Sequence, residues 1–240
     1  MTKIADGMSL NSPLPVWKSY AGELLSLENE VHIFKFNLKD FGNLDYREAL
    51  SQAEFEKASK YHRTEDKEAF LRRRYLLKKL LGAYLQIPSN MVEFAYSVRK
   101  KPSVKGGVEF SLSHSKDYVL VALSNQAIGI DIEWIDPSFE FNDIAINHFH
   151  PEEVGLLRNS MTARSDFYTI WTRKESILKA TAEGLIMAMN LFSVTPGSIT
   201  RNNNVYHFQS YQTIQKYQFS LALPADLNCS FWEIRSLSFL

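Results

Sequence analysis

The chain of 240 residues contains a single cysteine, Cys229, and has no excess of charge of either sign. One cysteine cannot form an intramolecular disulfide, which excludes the small disulfide-held folds of secreted proteins. Lys plus Arg and Asp plus Glu both total 27. No net field therefore marks the whole chain as a nucleic-acid or membrane-surface binder.

Long apolar runs are also missing. The run YVLVAL, residues 118–123, is far shorter than the roughly 20 residues needed to cross a bilayer, and is typical of a buried strand. The N-terminal segment MTKIADGMSLN lacks the apolar core of a signal peptide. We therefore expect a cytoplasmic protein with neither a nucleic acid nor a membrane as its partner.

What the sequence does contain is ordinary globular composition, with 45% hydrophobic and 13% aromatic residues. The first half has strand-like segments and two helical patterns, the second of which ends at Pro88. Its last strand, YVLVALS, is joined to AIGIDIEW by a short turn. That pair predicts an antiparallel hairpin. The second half has a long helical pattern over about 165–181, which Gly184 can end. Four strand-like segments follow it and predict a meander: FSV, VYHFQSY, YQFSLAL and FWEIRSL.

This organisation predicts an α+β fold. Residues 1–125 and 126–240 would form two similar subdomains, each a helical segment packed on an antiparallel sheet. No Gly- or Ser-rich linker separates the halves, so we expect them to share an interface.

The stretch AIGIDIEW, residues 127–134, sets two carboxylates inside an apolar run. Alternation along a strand puts Asp131 and Glu133 on one face together with Gly129, their Cα atoms roughly 6.5 to 7 Å apart. Both side chains could then reach one divalent cation, directly or through water. A half-exposed strand with its acids in water explains the same pattern.

The segment WTRKESILKATAEGL, residues 171–185, places Lys174 inside an apolar helical stripe. A lysine there must snorkel, find a partner or face a ligand, because an unpaired buried ammonium is costly. Glu175 and Lys179 lie together at the edge of the stripe. They are either an ordinary surface ion pair or a third metal carboxylate beside a phosphate-binding cation.

The segment SLSHS, residues 111–115, offers His114 as a hydrogen-bond donor to a phosphate, or as a histidine satisfied by nearby backbone. Upstream cations would suit a ligand with several phosphates, or would form a solvated surface. They are Arg72, Arg73, Arg74, Lys100, Lys101 and Lys105.

FSLSHS, then GIDIE, then WTRKESILKATAEGL occur in an order that resembles the 4′-phosphopantetheinyl transferases. The resemblance is to the long, surfactin-synthetase-activating type, which acts on peptide and polyketide synthetases. Weaker matches, FLRRRYLLKKLL, KKP and FHPEE, extend it over about residues 45–185. The family's pseudo-twofold fold is similar to the predicted architecture, whereas the short trimeric holo-acyl-carrier synthases fit poorly.

The resemblance implies that a monomer transfers the phosphopantetheine arm of coenzyme A to a serine of an apo acyl or peptidyl carrier protein, releasing 3′,5′-ADP. Mg²⁺, or Mn²⁺ in its place, would be held by Asp131, Glu133 and Glu175. Glu175 would also draw the proton from the carrier serine, directly or through a metal-bound water.

The resemblance further implies that Lys179 contacts the phosphates and that Lys174 closes on them or on the nucleotide. His114 would act with Glu175 and Lys179 in catalysis. The first subdomain would supply most coenzyme A contacts and the second the metal and phosphate site. The remaining coenzyme A contacts match Ser113, Arg74, Lys101, Pro102 and, more loosely, Lys57.

The chain departs from the family pattern at a few positions. Ser111 stands where Asn is usual, Lys100 where Gly precedes Lys-Pro, and Ala182-Glu183 where small residues precede Gly184. Two competing interpretations are a catalytically silent relative, against which intact Asp131, Glu175 and Lys179 argue, and a nucleic-acid module built on RRRYLLKK.

Overall fold

The computed structural model of the protein describes residues 10–23, 25–184, 189–213, 215–224 and 227–237. Within these ranges the α-helices are α1 (Gln52–Ser59), α2 (Thr64–Leu85), α3 (Asn142–His148), α4 (Pro151–Asn159) and α5 (Ala163–Thr181). The first strands are β1 (Lys18–Ser19), β2 (Glu30–Asn37), β3 (Ala95–Tyr96), β4 (Pro102–Ser103), β5 (Glu109–Ser115) and β6 (Tyr118–Ser124). The later strands are β7 (Gly129–Trp134), β8 (Ser198–Arg201), β9 (Asn204–Gln212), β10 (Tyr217–Leu223) and β11 (Asn228–Ile234).

The elements stack as four layers, α2, a five-stranded sheet, a four-stranded sheet and α5, and the α+β class is confirmed. Leu77 and Leu81 of α2 pack on Phe34 of the first sheet. Between the sheets, side chains such as Leu120 and Phe219 form a shared apolar layer. No helix among the described residues is long and apolar enough to cross a bilayer.

The first sheet has the order β1-β11-β2-β6-β5. Strand β11, which lies between β1 and β2, comes from the C-terminal part of the chain. β11 pairs in parallel with both β1 and β2. The prediction that FWEIRSL ends a C-terminal meander is therefore wrong, as is a purely antiparallel first sheet. The predicted strand FSV is wrong as well, because Phe192 and Val194 are buried in a loop.

The predicted hairpin of YVLVALS with AIGIDIEW is also wrong. β6 pairs with β2 and β5, whereas β7 pairs with β10 in the antiparallel second sheet, β7-β10-β9-β8. The short connection between them carries the chain from one sheet to the other. Apolar residues of β7, among them Ile130, then face the layer between the sheets.

Helix α5 lies against β7 at a close approach that Gly129 permits. A Cβ atom at Gly129 would lie 1.8 Å from the Ser176 backbone oxygen, so any larger residue would push the helix away. The space above Gly129, on the same face of β7 as Asp131 and Glu133, is therefore occupied by α5. The predicted long helix is confirmed and ends at Thr181, where Ala182, whose φ of 56° is left-handed, caps it before Gly184 is reached. Leu185 of the motif lies outside the described residues.

Candidate active site

The site begins where β5, at the edge of the first sheet, lies alongside β7, at the edge of the second. Side-chain hydroxyls bridge these strands. Ser111 Oγ accepts from the Ile130 N–H at 3.0 Å, and Ser113 Oγ donates to Asp131 Oδ1 at 2.7 Å. Ser115 Oγ donates to Glu133 Oε2 at 3.2 Å and accepts from the Trp134 N–H at 2.9 Å. We call these three serines the serine seam.

Asp131 is the most enclosed of the three candidate carboxylates, at 3% exposure. Its Oδ1 accepts from Lys179 Nζ at 2.6 Å as well as from Ser113. Its Oδ2 is buried and has no hydrogen-bond partner in the described structure. Since a buried carboxylate oxygen is costly to leave unpaired, this atom is suited to an additional cation or donor.

Glu133 and Glu175 lie near Asp131 and are affected by it. Burial, and then the Asp131 charge, raise the pKa of Glu133 to about 7. The same two causes raise the pKa of Glu175 to about 7. Mutual repulsion of carboxylates in a partly buried site is the condition that a bound cation relieves.

A cleft of about 390 Å³ contains this acidic group. It is lined by Leu112, Ser113, His114, Asp131, Glu133, Trp171, Glu175 and Lys179. Among the described residues no three His, Cys, Asp or Glu side chains already converge as a ligand set, and in this arrangement Lys179 is the counter-ion of Asp131. The donor set and the orphaned Asp131 Oδ2 nevertheless fit a hard divalent cation, which prefers carboxylate oxygens.

A second cleft, of about 490 Å³, opens beside the first. Both clefts are lined by Leu112, His114, Glu175 and Lys179, so they are continuous. The charged lining of this larger cleft is mostly basic, and includes Arg73, Arg74, Arg99, Lys100, Lys101 and Lys179. A basic cleft therefore meets an acidic one at Glu175 and Lys179.

His114 stands at the junction of the clefts. Desolvation by the cleft walls, and then the charges of Arg73 and Lys179, lower the pKa of His114 to about 4, although the residue itself is exposed to solvent. The imidazole is therefore neutral at ordinary pH, with one ring N–H to donate and one nitrogen to accept. It suits hydrogen bonding to a phosphate without adding a charge.

Three of the other predicted coenzyme A contacts, Lys101, Pro102 and Arg74, lie along the larger cleft, whereas Ser113 lines the acidic one. Lys101 donates to the Ala180 carbonyl at 3.2 Å, and burial lowers its pKa. Pro102 lines the wall next to it. Arg74 lies against Glu54 at 3.4 Å, with its guanidinium 4.3 Å from the Phe94 ring centre.

Lys57 is exposed on α1 outside the lining of either cleft, and its ammonium lies 5.6 Å from the Phe70 ring centre and 5.8 Å from that of Tyr96. Phe70 belongs to the lining of the larger cleft. Lys57 is thus near the cleft without lining it.

Lys174 is a correction to the predicted site, because it points away from both clefts. It is fully buried, and its ammonium contacts Glu153 at 2.8 Å and the carbonyls of Met189 and Phe192 at 2.7 and 2.6 Å. An ammonium has three donor hydrogens, and these three acceptors use them. Lys174 therefore closes on neither phosphate nor nucleotide; it is a structural residue.

Arg73 is a cleft residue that the sequence offered only as one of several upstream cations, without a coenzyme A contact of its own. The three consecutive arginines diverge around α2: Arg72 donates to the Leu38 carbonyl, Arg74 pairs with Glu54, and Arg73 lines the cleft and influences His114. Phe70, Arg73, Arg74 and Leu77 share helical spacing and all line the cleft. That spacing is the signal that identifies Arg73.

The cations of RRRYLLKK are mostly committed within the protein. Lys78 lies 3.4 Å from Glu54, Lys79 lies 3.6 Å from Glu48, and Arg72 and Arg74 are held as described. These contacts leave this helix without the open row of cations that a nucleic-acid backbone would require, which disfavours the nucleic-acid interpretation.

Comparison with known proteins covers both halves of the chain. Residues 127–230 match the 4'-phosphopantetheinyl transferase superfamily, and residues 43–126 match the family described as 4'-phosphopantetheinyl transferase, N-terminal. The second match ends where the first begins, at the connection between β6 and β7.

Individual relatives agree with the family matches. The 4'-phosphopantetheinyl transferase HetI of Nostoc sp. is 32% identical over 179 residues, covering 70% of this chain and 76% of the relative. The 4'-phosphopantetheinyl transferase Sfp of Bacillus subtilis is 31% identical over 150 residues, covering 60% and 66%. The 4'-phosphopantetheinyl transferase gsp of Aneurinibacillus migulanus is 36% identical over 120 residues, covering 49% of each.

Proposed function

Because this chain belongs to the 4′-phosphopantetheinyl transferase family, we propose that it moves the phosphopantetheine arm of coenzyme A to a serine of an apo acyl or peptidyl carrier protein. The other product is 3′,5′-ADP, and the reaction uses Mg²⁺ or Mn²⁺. The observation that carries the proposal is the continuity of a basic and an acidic cleft through Glu175 and Lys179. The monomeric state, the cytoplasmic location and the pseudo-twofold relation of the halves stay predictions.

In this proposal the larger cleft binds the nucleotide end of coenzyme A. Its arginines and lysines favour a ligand that carries several phosphates, and His114 with Lys101 and Pro102 belong to its wall. Arg74 and, near the rim, Lys57 add positive charge. Residues of both halves line this cleft, so the ligand would span the two.

The acidic cleft holds the divalent cation in the proposal. Asp131, through its orphaned Oδ2, and the carboxylates of Glu133 and Glu175 supply hard oxygen donors. A cation bound there would neutralise charge on the diphosphate as its bond breaks. Lys179 contributes a fixed positive charge at the same place, between Asp131 and the larger cleft.

In the transfer step, the carrier serine oxygen attacks the phosphorus that bears the pantetheine. The P–O bond to 3′,5′-ADP breaks, and the serine proton passes to Glu175 directly or through a water. Glu175 lies where the two clefts meet, a position from which its carboxylate can accept this proton. Lys179 stabilises the negative charge that develops on the leaving phosphate.

Mass spectrometry of an apo carrier domain tests the proposal. We expect incubation with the protein, coenzyme A and Mg²⁺ to add the mass of the phosphopantetheine arm, and chelation of the metal to stop the addition. Several carriers should be tried, because nothing here names the natural one. Tight coenzyme A binding with no mass gain on any carrier would instead identify a catalytically silent relative.

A further inference from the structure

Ser115, the last residue of β5, connects the two sheets at Glu133. Its oxygen accepts from the Trp134 N–H at 2.9 Å, and its hydroxyl donates to Glu133 Oε2 at 3.2 Å. A backbone N–H on β7 thereby fixes the hydroxyl oxygen, whose one proton is directed to the carboxylate. The side-chain orientation of Glu133 is thus set by a residue of the opposite sheet.

The two neighbouring acids are held in the same way. Ser113 binds Asp131 Oδ1, which leaves Oδ2 facing no partner in the described structure. Ser115 binds Glu133 Oε2, which leaves Oε1 for another contact. Asp131 has Lys179 as a second anchor, whereas among the described residues Glu133 accepts its side-chain hydrogen bond from Ser115.

Ser115 does not line either cleft within the described part of the chain. Ser115 would therefore influence a bound ligand through its two hydrogen-bond partners on β7, the Glu133 carboxylate and the Trp134 N–H. This separates it from Ser113 and His114, which both line the acidic cleft.

We propose that Ser115 is a positioning residue that orients Glu133 for the divalent cation. This inference rests on the proposed function of the acidic cleft. Hydrogen bonds to a ligating carboxylate fix its orientation, and losing one typically weakens metal affinity by about 10- to 100-fold. A consequence is that a residue of the first sheet controls the metal affinity of an acid on the second.

Titration with Mn²⁺, followed by the electron paramagnetic resonance signal of the free ion and done without coenzyme A, tests this inference. We expect Ser115→Ala to weaken Mn²⁺ binding by about 10-fold and to raise by the same factor the Mg²⁺ concentration that gives half-maximal transfer. The KM for coenzyme A at saturating Mg²⁺ should change little. Ser115→Thr keeps the hydroxyl and should restore the affinity.

Ser111→Ala is the matched control for the serine seam. It also removes a hydrogen bond between β5 and β7, but the lost partner is the Ile130 N–H, not a carboxylate. We expect a similar shift in Tm for both alanine variants and a loss of Mn²⁺ affinity in Ser115→Ala alone. Equal losses of affinity would mean that the seam acts through stability, and would overturn the inference.

A double-mutant cycle with Glu133→Gln isolates the route of the effect. If Ser115 acts through Glu133, Ser115→Ala should cause no further loss of Mn²⁺ affinity in the Glu133→Gln background. Additive losses would overturn the inference, as would normal Mn²⁺ affinity in Ser115→Ala while the wild type still requires Mg²⁺ for transfer. A wild type that neither binds Mn²⁺ nor transfers the arm would overturn the proposed function itself, and this inference with it.

Discussion

Helix α5 carries two lysine–carboxylate pairs whose surroundings differ sharply. Lys174 and Glu153 are both 0% exposed, and the ammonium is also bonded to two backbone carbonyls. Lys179 is 30% exposed and shares Asp131 with Ser113 in a cleft. The first pair is closed, with each ammonium hydrogen used. The second is open, since one carboxylate oxygen of Asp131 has no hydrogen-bond partner among the described residues.

One lysine of α5 therefore serves the stability of the fold, and the other serves the candidate active site. The buried pair joins α5 to α4 and to the loop at 189–194: Glu153 also accepts from the N–H groups of His150 and Val194. The open pair lies on the side of α5 that packs on β7. We therefore expect changes at the closed pair to reduce the free energy of unfolding, and changes at the open pair to reduce transfer.

The largest expected effect is on transfer by Asp131→Ala or Glu175→Gln. Either change removes a carboxylate from the acidic cleft, and we expect a loss of at least about 10³-fold in kcat, comparable to losing a central electrostatic group elsewhere. Circular dichroism should show an unchanged fold. Near-normal transfer by either variant would remove these residues from the metal site.

The next largest effect is on stability, from Lys174→Met. Removing one partner leaves Glu153 charged and buried, which typically costs about 3 to 5 kcal/mol. Urea unfolding followed by tryptophan fluorescence measures the change. In the double variant Lys174→Met with Glu153→Gln the buried charge is gone, and we expect it to be more stable than Lys174→Met alone; a double variant that is less stable would contradict this account.

Lys179→Ala should do the reverse of Lys174→Met. We expect transfer to fall by about 10²-fold, with unchanged dependence on Mg²⁺ concentration, and the free energy of unfolding to fall by much less than in Lys174→Met. The Lys179 ammonium is 30% exposed, so water can replace it beside Asp131, whereas Lys174 and Glu153 are both fully enclosed. An unchanged rate would make Lys179 an ordinary surface ion-pair partner.

Gly129→Ala tests the contact that brings the open pair together. Its Cβ would lie 1.8 Å from the Ser176 backbone oxygen, so α5 must shift from β7. Overpacking of this kind costs about 1 to 3 kcal/mol, measured by urea unfolding. Gly155→Ala in α4 is the matched control, since among the described residues beyond its chain neighbours and its own helix backbone no atom lies within 4 Å of the added Cβ. An equal loss there would mean that the close contact is unimportant.

Local pattern was enough to predict the part of the site that lies on single elements. Alternation in AIGIDIEW predicted that Asp131 and Glu133 share a side of the strand, and both contact serines of β5 there. Helical spacing predicted helix α5, with Glu175 and Lys179 at the edge of its apolar stripe. These properties depend on one segment at a time, so the sequence alone determines them.

Pairings between distant segments could not be read in the same way. A period of two determines which face a side chain takes but not which strand lies alongside, so β6 with β7 was predicted as a hairpin and β11 as part of a meander. The partner of Lys174 is Glu153 on α4, and no local sequence pattern links these two residues. The serine seam was equally hidden, because it forms only where the edge strands of the two sheets lie side by side.

The central claim, that the two clefts form one site for one ligand, is tested most directly by isothermal titration of coenzyme A with and without Mg²⁺. A metal and a diphosphate that share a site must raise each other's affinity. We predict that Mg²⁺ tightens coenzyme A binding to the wild type by about 10-fold or more and has no such effect on Asp131→Ala. Equal coenzyme A affinity of the wild type with and without Mg²⁺ would contradict the claim.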